Sequence, residues 1–373
     1  MRPTWAEVDL GAIAANVAAL KRQAAAPLLM AVVKADGYGH GMVPVARAAL
    51  AGGADWLAVA LVEEGLELRA AGIDARVLVM AEPPREAIPT VLDAALTPAV
   101  YTSTFAEALD RAAIERGGEP VAVHLKLDTG MRRGGVPEAS WQEALRLVRR
   151  AAGLRLEGLW SHLAVSDEPG HPFTAHQARL FRRGLAMAAR EGPRPELVHL
   201  CNSGGTLFLH SEHHDMVRPG IAVYGLEPAP GVAHGCPLRP ALSLRSRLSL
   251  VKHVAAGEAV SYGLRWTAKE DTRVGIVPAG YADGVVRALS NRGEVVLRGH
   301  RVPIAGTVCM DQFFVDITEV DAHPGDDVTL IGAQNGTAVT ADDWAGWLGT
   351  INYEVVCGIG KRVPRVYTGL EES

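Results

Sequence analysis

Through the first 230 residues, short apolar, β-branched runs alternate with Ala-rich stretches of helical periodicity. The runs predict strands at 28–33, 56–60, 76–80, 96–100, 121–127, 155–160, 197–201 and 216–217. Helical patterns fall between them, among others at 44–51, 104–116, 138–152 and 176–190. Thr104 and Glu107 resemble a capping box at the start of one helix. Such alternation predicts a parallel sheet with crossover helices. Eight units in about 220 residues fit a closed (β/α)8 barrel. An open doubly wound sheet is the competing arrangement. Its G-x-G-x-x-G fingerprint is absent, since Gly37, Gly39 and Gly41 give only G-x-G-x-G.

The pattern changes after residue 235. Residues 242–254 (LSLRSRLSLVKHV) alternate over a long stretch. Short apolar runs follow at 274–277, 294–297, 302–305, 313–317 and 328–331, separated by Gly, Pro, Asn and Asp. This predicts a mostly antiparallel β domain, with one short helix at 341–348. The expected class is therefore α/β, an N-terminal TIM barrel at 1–235 followed by a β domain at 236–373. The first ~10 residues are free to pack on the β domain.

A length of 373 residues is consistent with two domains. The net charge of −5 argues against nucleic acid as the main partner, because phosphate binding wants a basic surface. The longest uncharged run, at 197–211, has 15 residues and includes polar groups, so no membrane-spanning helix is expected. Glu7 and Asp9 stand where a signal peptide would need an apolar core, which places the expected location in the cytoplasm. Cys201, Cys236, Cys309 and Cys357 lie far apart without a C-x-x-C and read as reduced thiols.

In a barrel, the loops leaving the C-terminal strand ends build the site. Lys34 follows the first predicted strand (AVVKADGYGHG). The fifth carries Lys126 and leads to Arg133 (HLKLDTGMRRGG), and His162 follows the sixth (LWSHLA), Asn202 and Ser203 the seventh (HLCNSGG), and Arg218 the eighth (MVRPGIAVYG). Cations, a histidine and a hydroxyl on one rim suit an anionic, phosphorylated, aldehyde-bearing cofactor. A lysine at the end of an apolar strand, near other cations, has a lowered pKa and can form a Schiff base. Ser203 and the backbone of Gly220 and Ile221 fall where barrels bind phosphate.

VVKADGYGHG, KLDTGMRRGG, CNSGG, VRPGIAVYG, SYGLRWTA, GYADGVVRALSNRGEV, GTVCMDQ and TINYEV, in this order, resemble the alanine racemases over nearly the whole chain, from Val8 to about Val366. The resemblance implies a pyridoxal 5′-phosphate enzyme, a homodimer with shared sites, acting on L- and D-alanine and supplying D-alanine for peptidoglycan. It implies that Lys34 binds the cofactor covalently. Tyr38, Ser203 and Tyr353, with the backbone of Gly220 and Ile221, would hold the phosphate, and Asn202 would lie beside them. Arg218 would face the pyridine nitrogen, Arg133 the phenolic oxygen and the substrate carboxylate, and His162 would lie near the ring. Tyr262 of the partner subunit would be the second base. Met310 of the partner subunit would bind the substrate carboxylate through its N–H, with Asp311 supporting that loop. Tyr281 and Tyr353 would narrow the entrance. Lys126 matches a lysine that some members carry as a carbamate buttressing the arginine. Arg132 replaces the family's glycine before the motif arginine, Gly134 a bulkier apolar residue after it, and Trp160 a smaller residue, which reads as packing.

Two bases on opposite faces are what inversion at Cα needs. An arginine at the pyridine nitrogen cannot accept a hydrogen bond and so disfavours protonation there. That sets the chain apart from a basic-amino-acid decarboxylase of the same two-domain plan, which uses a carboxylate. A racemase of wider substrate range and a non-catalytic cofactor carrier are the other readings. His210, His213 and His214 fit no standard zinc spacing, and no metal is expected. Cys309 reads as a structural thiol, and Tyr224 and Tyr281 as either packing or site residues.

Overall fold

The computed structural model describes residues 3–369. They form two compact units. One comprises Ala12–Gly37 and Met42–Arg239. The other comprises the chain from Pro240 on, with Tyr38–Gly41 and the first strand, β1 (Thr4–Asp9).

The first unit is an eight-stranded parallel sheet of β2 (Leu28–Val32), β3 (Trp56–Val59), β4 (Arg76–Val79), β5 (Thr97–Val100), β6 (Val121–Lys126), β7 (Leu154–Trp160), β8 (Leu197–His199) and β9 (Met216–Val217). The order is β8-β7-β6-β5-β4-β3-β2-β9. The ladder path ends between β8 and β9. There the Asp215 N–H donates to the Val198 carbonyl at 3.0 Å and the Arg218 N–H to the Cys201 carbonyl at 2.9 Å, so the ring is nearly closed. The strands read as apolar runs because helices cover them outside and side chains fill the interior, so both faces are buried. β3 and β5 are buried at every position.

The predicted helices form as Met42–Ala51, Ser103–Arg116, Trp141–Arg150 and Pro172–Glu191. The second of these starts differently from expectation. Thr102, not Thr104, caps it, accepting from the Phe105 N–H at 3.2 Å. Glu82 sets the earlier start by accepting from the N–H groups of Tyr101 (2.5 Å) and Thr102 (2.8 Å).

In the second unit the strands are β10 (Leu242–Arg247), β11 (Leu250–Val254), β12 (Ala259–Val260), β13 (Trp266–Thr267), β14 (Thr272–Val277), β15 (Glu294–Leu297), β16 (His300–Pro303), β17 (Phe313–Asp316), β18 (Asp327–Gln334), β19 (Thr337–Val339) and β20 (Arg365–Thr368). The main sheet runs β16-β15-β18-β10-β1-β20, with β19 on β18. All its pairs are antiparallel except β1 with β20. A second sheet is β11-β14-β17, and β12 pairs with β13. The long alternation at 242–254 is thus two strands in two sheets. The chain changes partners at Leu248, whose N–H donates to Asp326, and Ser249, whose N–H donates to Ile276. The predicted helix forms at Ala341–Leu348, capped by Thr340 and Asp343. An unpredicted helix, Asn352–Cys357, carries Tyr353. No helix among the described residues is long and apolar enough to cross a membrane.

Candidate active site

Lys34 follows β2 and opens a turn that the sequence does not announce. Ala35, Asp36, Gly37 and Tyr38 all have φ between 51° and 60°, a left-handed turn in which only one residue is glycine. Left-handed backbone costs an L-residue about 1–2 kcal/mol. Three contacts hold it. Glu64 accepts from the Ala35 N–H at 2.6 Å, Val33 O from the Gly37 N–H at 2.9 Å, and Asp36 Oδ1 from the Met42 N–H at 3.0 Å. The glycines that mimic a nucleotide motif serve close approach instead. A Cβ on Gly39 would collide with the Val356 carbonyl.

Lys126 ends β6, buried, with its Nζ 4.6 Å from the Trp160 ring centroid. Burial and the nearby Arg133, Arg218 and Lys34 lower its pKa to about 8, against the opposing charge of Asp128. Asp128 also shapes the loop of Arg133, accepting from Gly130 (2.9 Å) and Arg132 (3.1 Å). Arg132 takes φ 55°, the left-handed conformation that the family's glycine would adopt without strain.

His162 is half-buried, and Gln177 grips its carbonyl at 3.0 Å. Desolvation together with Arg218, Arg133, Lys126 and Lys34 drives its pKa well below the usual value, so it is neutral. Arg218 is buried, and desolvation lowers its pKa to about 10, which leaves it charged at neutral pH. It donates to His199 Nδ1 (2.8 Å), Ser161 O (2.8 Å) and Leu200 O (3.1 Å), and its Cζ lies 4.8 Å from the Trp160 centroid. Ser203 Oγ accepts from the N–H groups of Gly220 (2.8 Å) and Ala222 (3.2 Å), which fixes the hydroxyl between the last two barrel loops and leaves its own proton to donate. Ile221 begins a buried 3-10 turn beside it. Asn202 is a cap. Its Oδ1 accepts from Gly205 N–H (3.0 Å) and Ser166 Oγ (2.6 Å), so it holds the loop that carries Ser203.

The barrel therefore brings together Lys34, Lys126, Arg133, His162 and Arg218, with Ser203 on the same rim. Four cations within electrostatic reach of one neutral histidine are a poor arrangement for an empty pocket and a good one for a polyanion. This donor set fits a phosphorylated cofactor with an acidic phenol, together with an amino-acid carboxylate.

The second unit carries the remaining residues. The Tyr38 and Tyr353 rings lie 6.2 Å apart. Tyr262 is 72% exposed and follows Ser261, whose backbone (φ 66°, ψ 178°) is in a region almost reserved for glycine. Ser261 Oγ donates to the Thr307 carbonyl (2.5 Å), and Thr307 Oγ1 donates to the Tyr262 carbonyl (2.7 Å). These bonds hold the turn. Met310 is 51% exposed. Its carbonyl accepts from the Ala282 N–H (3.1 Å), and the Cys309 carbonyl accepts from the Tyr281 N–H (3.0 Å), which ties the Tyr281 and Met310 loops together. Asp311 is engaged by Arg362 at 2.7 Å.

Sequence reasoning missed Trp160 as a site residue. Its ring is the floor under Lys126 and Arg218 and stacks on His199 at 5.5 Å. The other candidates are structural. His213 accepts from Ala25 N–H (2.9 Å), Tyr224 is buried and donates to Val32 O (3.0 Å), and burial pushes the Cys201 thiol up to about 12.

A family model described as alanine racemase, N-terminal domain, matches residues 8–228, and one described as alanine racemase, C-terminal domain, matches 241–367. The alanine racemase of Symbiobacterium thermophilum is 49% identical over 371 residues, covering 99% of this chain and 98% of that protein. That of Thermobifida fusca is 47% identical over 369 residues, covering 98% of each. The crystal structure of alanine racemase from D-cycloserine-producing Streptomyces lavendulae superposes with a TM-score of 0.94 at 44% identity, covering 100% of this chain and 98% of that one. The one from E. faecalis gives 0.94 at 36% identity, covering 98% of each.

Proposed function

The chain belongs to the alanine racemase family and is an isomerase, and from that premise we propose that it interconverts L- and D-alanine with pyridoxal 5′-phosphate, using Lys34 and Tyr262 of the partner subunit as the two bases. The observation that carries this reading is the cation set of the barrel rim around a neutral His162. When bound, pyridoxal 5′-phosphate supplies the electron sink that lets the Cα proton leave.

Lys34 is the covalent attachment point. Ser203, Tyr38 and Tyr353 offer hydroxyls to the phosphate, with the backbone of Gly220 and Ile221. Arg218 presents a charged donor to the pyridine nitrogen and withholds the acceptor that a protonated nitrogen would need. Arg133 and the Met310 N–H of the partner subunit bind the substrate carboxylate. Lys34 would hold the cofactor, and its amine would remove or return the Cα proton on one face of the substrate. The Tyr262 phenol of the partner subunit would serve the other face, with His162 and Arg218 of the barrel nearby. The lowered pKa of Lys126 makes a neutral amine accessible near pH 8. That amine can add CO2 with release of a proton to solvent, and the resulting anionic carbamate would turn a repulsive neighbour of Arg133 into a partner.

Exposed Tyr262, Leu264, Met310 and Ile351 on the second unit support a homodimer, because a second copy would cover them. Tyr281 and Tyr353 favour a small side chain, hence alanine. Action in the cytoplasm, as the source of D-alanine for peptidoglycan, completes the reading.

The test is borohydride reduction of the purified protein with its cofactor, followed by peptide mapping, together with loss of optical rotation from L-alanine measured beside CO2 release. We expect the label on Lys34 and racemisation without CO2. A label on another lysine, or CO2 release, overturns the reading.

A further inference from the structure

A chain of buried polar groups runs inside the barrel away from Arg218. Its Nη1 donates to His199 Nδ1 at 2.8 Å. His199 Nε2 lies 2.9 Å from His124 Nδ1, and His124 Nε2 lies 3.3 Å from Glu157 Oε2. Glu157 Oε1 accepts from Arg76 (2.5 Å) and Arg155 (3.0 Å). His124, Glu157 and His199 are all 0% exposed. Arg76 opens β4 and Arg155 stands near the start of β7, whereas Arg218 follows the end of β9. The chain therefore joins the two ends of the barrel.

Its direction follows by elimination. A guanidinium only donates, so His199 Nδ1 is an acceptor. A neutral His199 then carries its proton on Nε2 and donates to His124 Nδ1. His124 in turn carries its proton on Nε2 and donates to the Glu157 carboxylate, which only accepts. Reversing either ring sets two donors face to face, and reversing His124 also takes the donor from Glu157 Oε2. Burial and the neighbouring cations keep both rings neutral. Burial would raise the pKa of Glu157, but the His124 and Arg155 hydrogen bonds and the charge of Arg76 hold it at about 2.

Two local features of the fold are spent on this chain. The β6–β7 register shifts between Val123, opposite Leu156, and His124, opposite Gly158, so Glu157 is the extra residue of a bulge. A Cβ on Gly158 would lie against the His124 ring atoms, so glycine makes room for the ring. Trp56 lies 5.3 Å from His124, and Trp160 stacks on His199.

We propose that Glu157 is a positioning residue for Arg218: through His124 and His199 it locks both imidazoles as Nε2–H tautomers, so that an acceptor always faces the guanidinium and holds it toward the site. The tautomer assignment stands on the barrel alone; its consequence for turnover rests on the racemase reading above.

The experiment is NMR of ring-¹⁵N-histidine holoenzyme, wild type, Glu157→Gln and Glu157→Leu, with melting temperatures and kcat and KM for alanine. In the wild type we expect both rings neutral, with the proton on Nε2, over roughly pH 7–9. Glu157→Leu strands the His124 Nε2–H. Its ring signals should move toward mixed tautomers, and kcat should fall about tenfold with KM little changed. The Glu157→Gln amide oxygen still accepts that proton, so it should restore the signals and most of kcat. A wild-type His199 carrying its proton on Nδ1, or titrating in that range, overturns the proposal without any variant. So does a folded Glu157→Leu with wild-type ring signals or wild-type kcat. If the holoenzyme does not racemise alanine, the ring assignments still decide the tautomer lock.

Discussion

The barrel and the C-terminal β unit carry their site residues in opposite ways. In the barrel, Lys126, Ser203 and Arg218 are buried, Lys126 against the Trp160 ring and the other two held by several hydrogen bonds at once. In the β unit, Tyr262 and Met310 project from turns into solvent, and the turn of Tyr262 is strained. The barrel thus builds a charged pocket from within one chain. The β unit leaves its proposed site groups, Tyr262 and Met310, exposed at turns. Substitutions in the barrel should therefore change both stability and function, and those at the β-unit tips should change function alone.

The largest expected effect tests the second half of that contrast. Tyr262→Phe should slow racemisation on one face by about 10²–10⁴-fold, with cofactor absorbance and melting temperature unchanged. Deuterium exchange at Cα, followed separately from L- and from D-alanine, would check it, and rates unchanged from wild type for both enantiomers would remove Tyr262 as a base.

Lys126→Met tests the first half. Lysine here is charged at a cost, because its folded pKa is about 8 against 10.5 for a free lysine. A depressed lysine pKa destabilises the fold fully below pH 8, and the penalty vanishes above 10.5. The variant should therefore be more stable than the wild type by of order 2–3 kcal/mol at pH 7, and no more stable near pH 11. Denaturant unfolding at the two pH values reads this, while activity should fall as the Arg133 environment changes.

Glu157→Gln sharpens the same point with the opposite sign. The Glu157 pKa is depressed from 4.5 to about 2, so its contribution to stability is present above pH 4.5 and lost as the pH falls through 2. The gap in stability between wild type and variant should be full at pH 6, shrink below 4.5 and close near 2. A pH-independent gap would mean that the carboxylate's charge plays no part.

The smallest effect belongs to Arg132→Gly. Relief of the left-handed backbone should raise stability by no more than about 1 kcal/mol, because glycine returns entropy to the unfolded chain. Thermal unfolding would detect it, and a loss of stability would show that Arg132 makes contacts worth more than its strain.

Much of this was readable along the chain. The eight barrel strands are apolar runs because they are buried on both sides, and that periodicity survives in one dimension. The rim residues were readable because each follows such a run. His124 could have been found the same way, since it lies two residues before Lys126 on the same strand and period two places both on one face. Trp160 was harder, because a tryptophan in an apolar strand looks like packing whether or not cations lie on its face. The left-handed turn after Lys34 had no signal. Ala, Asp and Tyr rarely adopt positive φ, and one of the contacts that hold them there comes from Glu64, 29 residues away.

The sequence by itself determined which groups are available and which end of which strand each occupies, because both follow from local periodicity and short motifs. Only the tertiary structure decided how those groups are charged and aimed. Which ring nitrogen bears a proton, which lysine loses one near pH 8, and which backbone is forced left-handed all depend on neighbours brought in from other strands. Desolvation and hydrogen-bond direction are properties of the folded surroundings, and no single stretch of chain contains them.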